Sequence, residues 1–166
     1  AFMRLIMSVG VDNVIEVAHR MGITSELPEV AGLTLGIASV TPLEMADAYA
    51  TIANGGTHYD PECIERIVDS SGNVLVDNAN TPNTDKGFTN VRTAYYMLDC
   101  LQNVTAHGTA YGIQLDGVET GGKTGTTTSN TDIWFCGITP QYSVAIWLGE
   151  RAEYYADAHP VYATAA

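Results

Sequence analysis

Apolar positions at the start of the chain recur at helical spacing. Phe2, Leu5, Ile6 and Val9 share one face of such a period, and Gly10 interrupts it. Asp12 is placed to cap a second helix with Val14, Val17, Ala18 and Met21 on its inner face, and Gly22 is its stop. Ser25 to Leu35, with Pro28 and Gly32, reads as loop. Thr41-Pro42-Leu43-Glu44 is a strong helix start: a capping hydroxyl, a proline at the first helical position and a glutamate that completes a capping box. That helix runs to about Ala53, before Asn54-Gly55-Gly56. Ile64 to Asp69 and Val74 to Val76 are short strands joined by the turn Ser70-Ser71-Gly72-Asn73. Asn78 to Gly87 is polar and reads as surface loop. Thr89 or Asn90 then caps a helix with an inner face of Val91, Ala94, Tyr95, Leu98 and Leu101, fading near His107-Gly108.

The last third changes period. Gly122 to Thr128 is small and β-branched, which suits a strand. Ile133 to Ile138 and Val144 to Leu148 are nearly continuous apolar runs, the pattern of strands buried on both faces. Thr139-Pro140-Gln141 is short enough to force antiparallel pairing, and Ser129-Asn130 makes the preceding turn. The expected fold class is α/β in the α+β sense: an antiparallel sheet with helices available to cover both faces, in a single partial domain over 1–166 with a short hairpin insert at about 59–77.

Charge removes some function classes. The formal net charge is −12, with 16% charged and 46% apolar residues. An acidic surface of this kind argues against nucleic acid and against anionic membrane as partners. No apolar run is long enough to span a bilayer. The chain opens at Ala1-Phe2-Met3-Arg4 already in helical pattern, so it is expected to be cut from a longer protein. Cys63, Cys100 and Cys136 are widely spaced and are read as buried small apolar residues. His19, His58, His107 and His159 stand singly, as surface or packing residues. No metal site and no cofactor are expected.

Gly117 to Thr124 fits the phosphate-loop pattern GxxxxGK[ST]. That motif needs a helix after it, so that free N–H groups face the phosphates. Gly125-Thr126-Thr127-Thr128-Ser129-Asn130 is a poor helix start, which leaves nucleotide binding a remote alternative. In the strand reading Lys123 and Gly125 point one way, Thr124 and Thr126 the other. Gly125 lets a ligand backbone lie close, Lys123 supplies positive charge and the threonines supply hydroxyls. This set suits an anionic, peptide-like ligand.

Lys123-Thr124-Gly125 resembles the third motif of penicillin-binding proteins and serine β-lactamases. The surroundings resemble it too. Thr120 to Thr127 followed by Asp132-Ile133-Trp134-Phe135-Cys136-Gly137-Ile138-Thr139-Pro140 is similar to the strand pair of penicillin-binding transpeptidases, class A branch. Tyr142 to Gly149 resembles the next strand, and Thr41 to Gly56 the helix before the family's inserted hairpin. The resemblance implies the C-terminal portion of a peptidoglycan D,D-transpeptidase domain, with a penicillin-binding/β-lactamase-like fold that is incomplete here. In that family a serine attacks the D-Ala-D-Ala carbonyl of a stem peptide, an amine takes the acyl group, and β-lactams trap the serine. By position, Lys123 and Thr126 would be catalytic, and Lys123, Thr124, Gly125 and Thr126 would bind substrate. Lys123 would give charge near the nucleophile and the substrate carboxylate. Thr124 and Thr126 would donate hydroxyls to that carboxylate, and the Thr126 N–H would be an oxyanion donor.

The family's S-x-x-K is absent. None of Ser8, Ser25, Ser39, Ser70, Ser71, Ser129 and Ser143 has a lysine three residues on, and Lys86 and Lys123 are the only lysines. Ser71-Gly72-Asn73 matches S-x-N but falls in the expected hairpin turn. The chain alone is therefore expected not to acylate, and a non-catalytic peptidoglycan-binding relative remains an alternative. The resemblance places the parent at the extracytoplasmic face of the bacterial plasma membrane, membrane-anchored. The family's sheet has further strands beside Val144 to Leu148, so self-association or a need for the missing N-terminal part is expected. Val161 to Ala166 resembles the start of a closing helix.

Overall fold

A computed structural model describes residues 1–79, 84–86, 90–128 and 130–149. Helix α1 (Phe2–Val9) buries only Ile6, and Phe2, Leu5, Met7 and Val9 lie exposed. Gly10, at φ +97°, breaks α1 from α2 (Val11–Arg20). Asp12 does not cap α2: the N-cap is Gly10, two residues earlier, the helix starts at Val11, and Asp12 sits in the first turn. Its charge there still complements the helix dipole. The expected loop at 25–35 closes in a 3-10 turn over Ala31–Leu35.

Helix α3 (Pro42–Ala53) has the anticipated capping box. Glu44 N–H donates to Thr41 Oγ1 at 3.2 Å, and Thr41 N–H donates to Glu44 Oε2 at 2.8 Å. Glu44 does more than cap. Its buried carboxylate also accepts from Thr24 N–H, Thr24 Oγ1, Ser25 N–H, Ser25 Oγ and Thr41 Oγ1. These bonds stitch the segment after α2 onto α3. Burial alone would raise the Glu44 pKa. The bonds from Thr41, Ser25 and Thr24 outweigh it and hold the group far below the ordinary carboxylate value.

Strand β1 (Thr57–Tyr59) follows the Gly55-Gly56 stop, both residues at positive φ. The hairpin of β2 (Arg66–Val68) and β3 (Val74–Asp77) stands where expected. Its turn is pinned by Asp69, whose side chain accepts from Ser71 N–H, Asn73 N–H and Asn73 Nδ2. Part of the expected 78–87 loop is instead strand β4 (Thr84–Lys86), antiparallel to β1. Three-residue strands carry no hydrophobic period, so neither β1 nor β4 announces itself. The β2–β3 hairpin is thus nested between the strands of another pair. Positions 80–83 and 87 of that loop, and the alternative cap Thr89, lie outside the described residues.

Asn90 caps α4 (Val91–His107), accepting from Thr93 N–H at 3.1 Å. Its inner stripe is Ala94, Leu98, Leu101 and Thr105, while Val91 and Tyr95 are exposed. The main sheet is the expected meander: β5 (Gly121–Thr126), β6 (Asp132–Ile138) and β7 (Ser143–Gly149), all antiparallel in that order. Asn130, at φ +55°, makes the first turn, and Thr139 N–H closes the second on the Tyr142 carbonyl at 2.8 Å. Ser129 and 150–166, including the closing segment Val161 to Ala166, lie outside the described residues.

Helices α3 and α4 pack on the same face of the sheet. Ile52 of α3 and Leu101 of α4 meet Ile138 of β6, with Met21, Tyr49, Ala53 and Leu98 around them. Ser143 Oγ donates to the Ala46 carbonyl of α3 at 2.6 Å. The expectation of burial on both faces fails for β7. Val144, Ile146 and Leu148 alternate outward at 43%, 39% and 38% exposure, because no described element covers that face. The cysteine reading holds only for Cys136; Cys63 and Cys100 are exposed. Burial pushes the Cys136 thiol up to about 11. No described helix is long and apolar enough to cross a membrane.

Candidate functional site

Strand β5 is an edge strand among the described residues, and its backbone sets the geometry. Thr127 N–H donates inward to the Asp132 carbonyl at 3.1 Å. Alternate residues of an antiparallel strand turn their backbone groups to opposite sides. Lys123 and Gly125 therefore address β6, and the N–H and C=O of Thr124 and Thr126 point away from the sheet. Gly121 faces α4, since a Cβ there would lie 3.2 Å from Leu101 Cβ. Alternation puts the side chain of Lys123 and the Cα face of Gly125 on that side, and Thr124 and Thr126 on the other. The expected segregation along Lys123-Thr124-Gly125-Thr126 is present, over Gly121–Thr126 rather than the expected 122–128.

The strand is held rigidly from beneath. At Gly122 a Cβ would meet Phe135 Cζ at 2.8 Å and the Cys136 carbonyl at 2.9 Å, so only glycine fits there. Gly125 pairs with Trp134, and a Cβ would press on Trp134 Cβ at 3.3 Å. Trp134 leans on Trp147 with ring centroids 6.5 Å apart, and Trp147 Nε1 donates to Asp132 Oδ1 at 2.9 Å. At the entry to β5, buried Thr105 Oγ1 donates to the Thr120 carbonyl at 2.7 Å, tying the strand to α4.

Lys123 is exposed, and its Nζ donates to the outward carbonyl of Thr124 at 2.6 Å. Among the described residues no carboxylate lies within ion-pair distance of it. In a chain with a net charge of −12, an ammonium set beside outward N–H groups is a local site for an anion. Thr109, from the turn after α4, brings its Oγ1 to 2.8 Å from Thr124 Oγ1. That residue was not anticipated. Its only sequence signal is Gly108-Thr109-Ala110 directly after the helix, which reads as an ordinary stop.

A cavity of about 500 Å³ lies between α2, α3 and β1, lined in part by His19, Gly22, Leu43, Asp47 and His58. Its polar groups are already engaged. His58 Nε2 and Asp47 Oδ2 pair at 2.7 Å, His19 Nδ1–H donates to the Ile23 carbonyl, and Glu44 is saturated. The outward edge of β5 is the stronger candidate.

The profile of the penicillin binding protein transpeptidase domain matches residues 15–163. Penicillin-binding protein 1A of Neisseria meningitidis is 36% identical over 154 residues, which are 88% of this chain and 19% of that protein. The chain belongs to the penicillin-binding protein transpeptidase family. The namesake from Clostridium botulinum is 33% identical over 153 residues, again 88% of this chain and 18% of that protein. The chain thus spans about a fifth of the length of the curated relatives it matches.

Solved structures agree. The penicillin-binding protein PonA1 of Mycobacterium tuberculosis superposes with a TM-score of 0.80 at 25% identity, covering 97% of this chain and 46% of that one. A second PonA1 structure holds penicillin V and superposes at 0.79 with 26% identity. Penicillin-binding protein 1A of Haemophilus influenzae gives 0.71 at 26% identity, covering 92% and 28%. The α+β class and the antiparallel sheet flanked by helices are therefore those of this family, in part. The phosphate-loop alternative lacks its helix, because Gly121–Thr126 is strand.

Proposed function

We propose that this chain forms one wall of a serine D,D-transpeptidase site that cross-links peptidoglycan stem peptides and is acylated by β-lactams. The observation that carries the reading is the β5 edge: Lys123 beside outward backbone groups of Thr124 and Thr126, on a strand backed by glycine–aromatic packing. In this reading an extended peptide or its β-lactam mimic lies along the edge. Lys123 and the hydroxyls of Thr124 and Thr126 hold its terminal carboxylate. Gly125 lets it approach the strand, and the Thr126 N–H receives the developing oxyanion. The attacking serine is contributed from outside residues 1–166, since no serine here carries the S-x-x-K pattern. The membrane-anchored, extracytoplasmic setting belongs to the same reading, and so does association through the open β7 edge.

The test is acylation by penicillin V of the full-length protein that carries this chain. Thr126→Pro removes one outward N–H, which edge strands tolerate. Thr126→Val removes only the hydroxyl. Loss of one oxyanion donor lowers the rate by roughly a hundred- to a thousandfold, so Thr126→Pro falls far below Thr126→Val. Equal rates for the two variants would overturn the oxyanion assignment.

A further inference from the structure

We propose that Thr109 is a positioning residue for the Thr124 hydroxyl, an assignment that rests on the reading of Thr124 as a donor to the ligand carboxylate. The turn carrying Thr109 is fixed on both sides. Gly108 N–H donates to the Val104 carbonyl at 2.9 Å. A Cβ on Gly108 would lie 2.8 Å from Val104 Cα and 2.9 Å from its carbonyl oxygen, so the turn admits no side chain there. On the far side Ala110 is 1% exposed, and its N–H also donates to the Val104 carbonyl, at 3.3 Å. Tyr111 N–H closes the turn on the Gly108 carbonyl at 3.1 Å. Thr109 is thereby held between two anchored neighbours, with Oγ1 2.8 Å from Thr124 Oγ1.

A threonine hydroxyl has one proton to give and two lone pairs to receive. When Thr109 donates to Thr124, the single Thr124 proton is left for an incoming carboxylate, and the donated bond polarises it. The same contact selects one Thr124 χ1 well from three. Thr109 is exposed, so its remaining hydrogen-bonding capacity faces solvent. The sequence thus uses Gly108-Thr109-Ala110 as a clamp that orients a hydroxyl on the neighbouring strand.

The experiment uses the full-length protein with Thr109→Val, Thr109→Ser and Thr124→Val. The probes are penicillin V and its methyl ester, with acylation resolved into a dissociation constant and a chemical rate. A neutral hydrogen bond of ordinary strength is worth about a three- to tenfold effect. Thr109→Val is expected to weaken penicillin V binding by that factor with the chemical rate retained. Thr109→Ser is expected to restore binding, and the ester to lose little. If Thr124→Val weakens penicillin V but Thr109→Val does not, the Thr109 assignment fails and the Thr124 reading stands. If neither variant has an effect, the Thr124 reading fails and carries this one with it. Equal losses for the acid and the ester, or loss of folding in Thr109→Val without rescue by serine, assign Thr109 a structural role and overturn the proposal.

Discussion

Replacing Glu44 by glutamine keeps the shape of the side chain and removes its charge. In the native chain Oε1 accepts from Thr24 N–H at 2.8 Å, Thr24 Oγ1 at 2.8 Å and Ser25 N–H at 2.6 Å. Oε2 accepts from Ser25 Oγ at 2.8 Å, Thr41 N–H at 2.8 Å and Thr41 Oγ1 at 2.9 Å. A glutamine NH₂ placed at Oε1 faces two backbone donors that cannot turn away. Placed at Oε2 it faces one, and the two hydroxyls there can rotate. The second arrangement is cheaper and still strands the Thr41 N–H. An unsatisfied buried donor costs about 1–3 kcal/mol, and the remaining bonds lose their charge assistance, so Glu44→Gln destabilises by roughly 3 kcal/mol. At about 2–4 °C per kcal/mol for a domain of 150–250 residues, Tm falls by about 6–12 °C.

The pH dependence gives a second readout. The folded carboxylate titrates far below its ordinary value of 4.5, so its stabilisation is complete above pH 4.5 and is lost as pH falls below it. Thermal scans of the transpeptidase domain at neutral and acid pH should therefore show the gap between wild type and Glu44→Gln narrowing with acidification. A variant within about 0.5 kcal/mol of wild type at neutral pH, the range of ordinary surface substitutions, would refute the reasoning. So would a gap that does not change with pH.

Three further outcomes follow from packing and exposure. Gly122→Ala forces a Cβ to within 2.8 Å of the Phe135 ring and 2.9 Å of a backbone carbonyl; it costs about 1–3 kcal/mol by overpacking and slows β-lactam acylation of the full-length protein by disturbing β5. At pH 8, alkylation followed by peptide mapping should label Cys63 and Cys100, with Cys136 reacting only after unfolding, because burial holds its pKa at about 11. The chain by itself should associate through the open, apolar edge strand β7, and light scattering showing a monomer would count against that, while Ile146→Lys should reduce the association.

The sequence was most readable where a signal is local. Thr41-Pro42-Leu43-Glu44 announced its helix because a capping box uses residues three apart, and the meander was legible because its strands are joined by short turns. What the capping pattern could not reveal is that Glu44 also gathers Thr24 and Ser25, a tertiary contact across about twenty positions with no periodic signature. The three-residue pair β1–β4 was missed for the same reason. Periodicity also misjudged surfaces. Val91 and Tyr95 fit the inner face of α4, and Val144, Ile146 and Leu148 fit a doubly covered strand, yet all are exposed. Apolar character marks what wants cover, and the described residues do not supply it. At the candidate site the motif named the strand and the family. Thr109 stayed hidden because a hydroxyl in a turn carries meaning only once the turn is seen against Thr124.

The central claim is that the β5 edge serves a serine that lies elsewhere in the protein. Acylating the full-length protein with penicillin V and mapping the adduct by peptide mass spectrometry tests it directly, with Lys123→Ala alongside. One adduct is expected, on a serine outside residues 1–166, and a rate in Lys123→Ala lower by at least about a hundredfold, the size expected when a preorganised charge at a reacting centre is removed. An adduct on any of the seven serines of this chain, or wild-type acylation in Lys123→Ala, would contradict it.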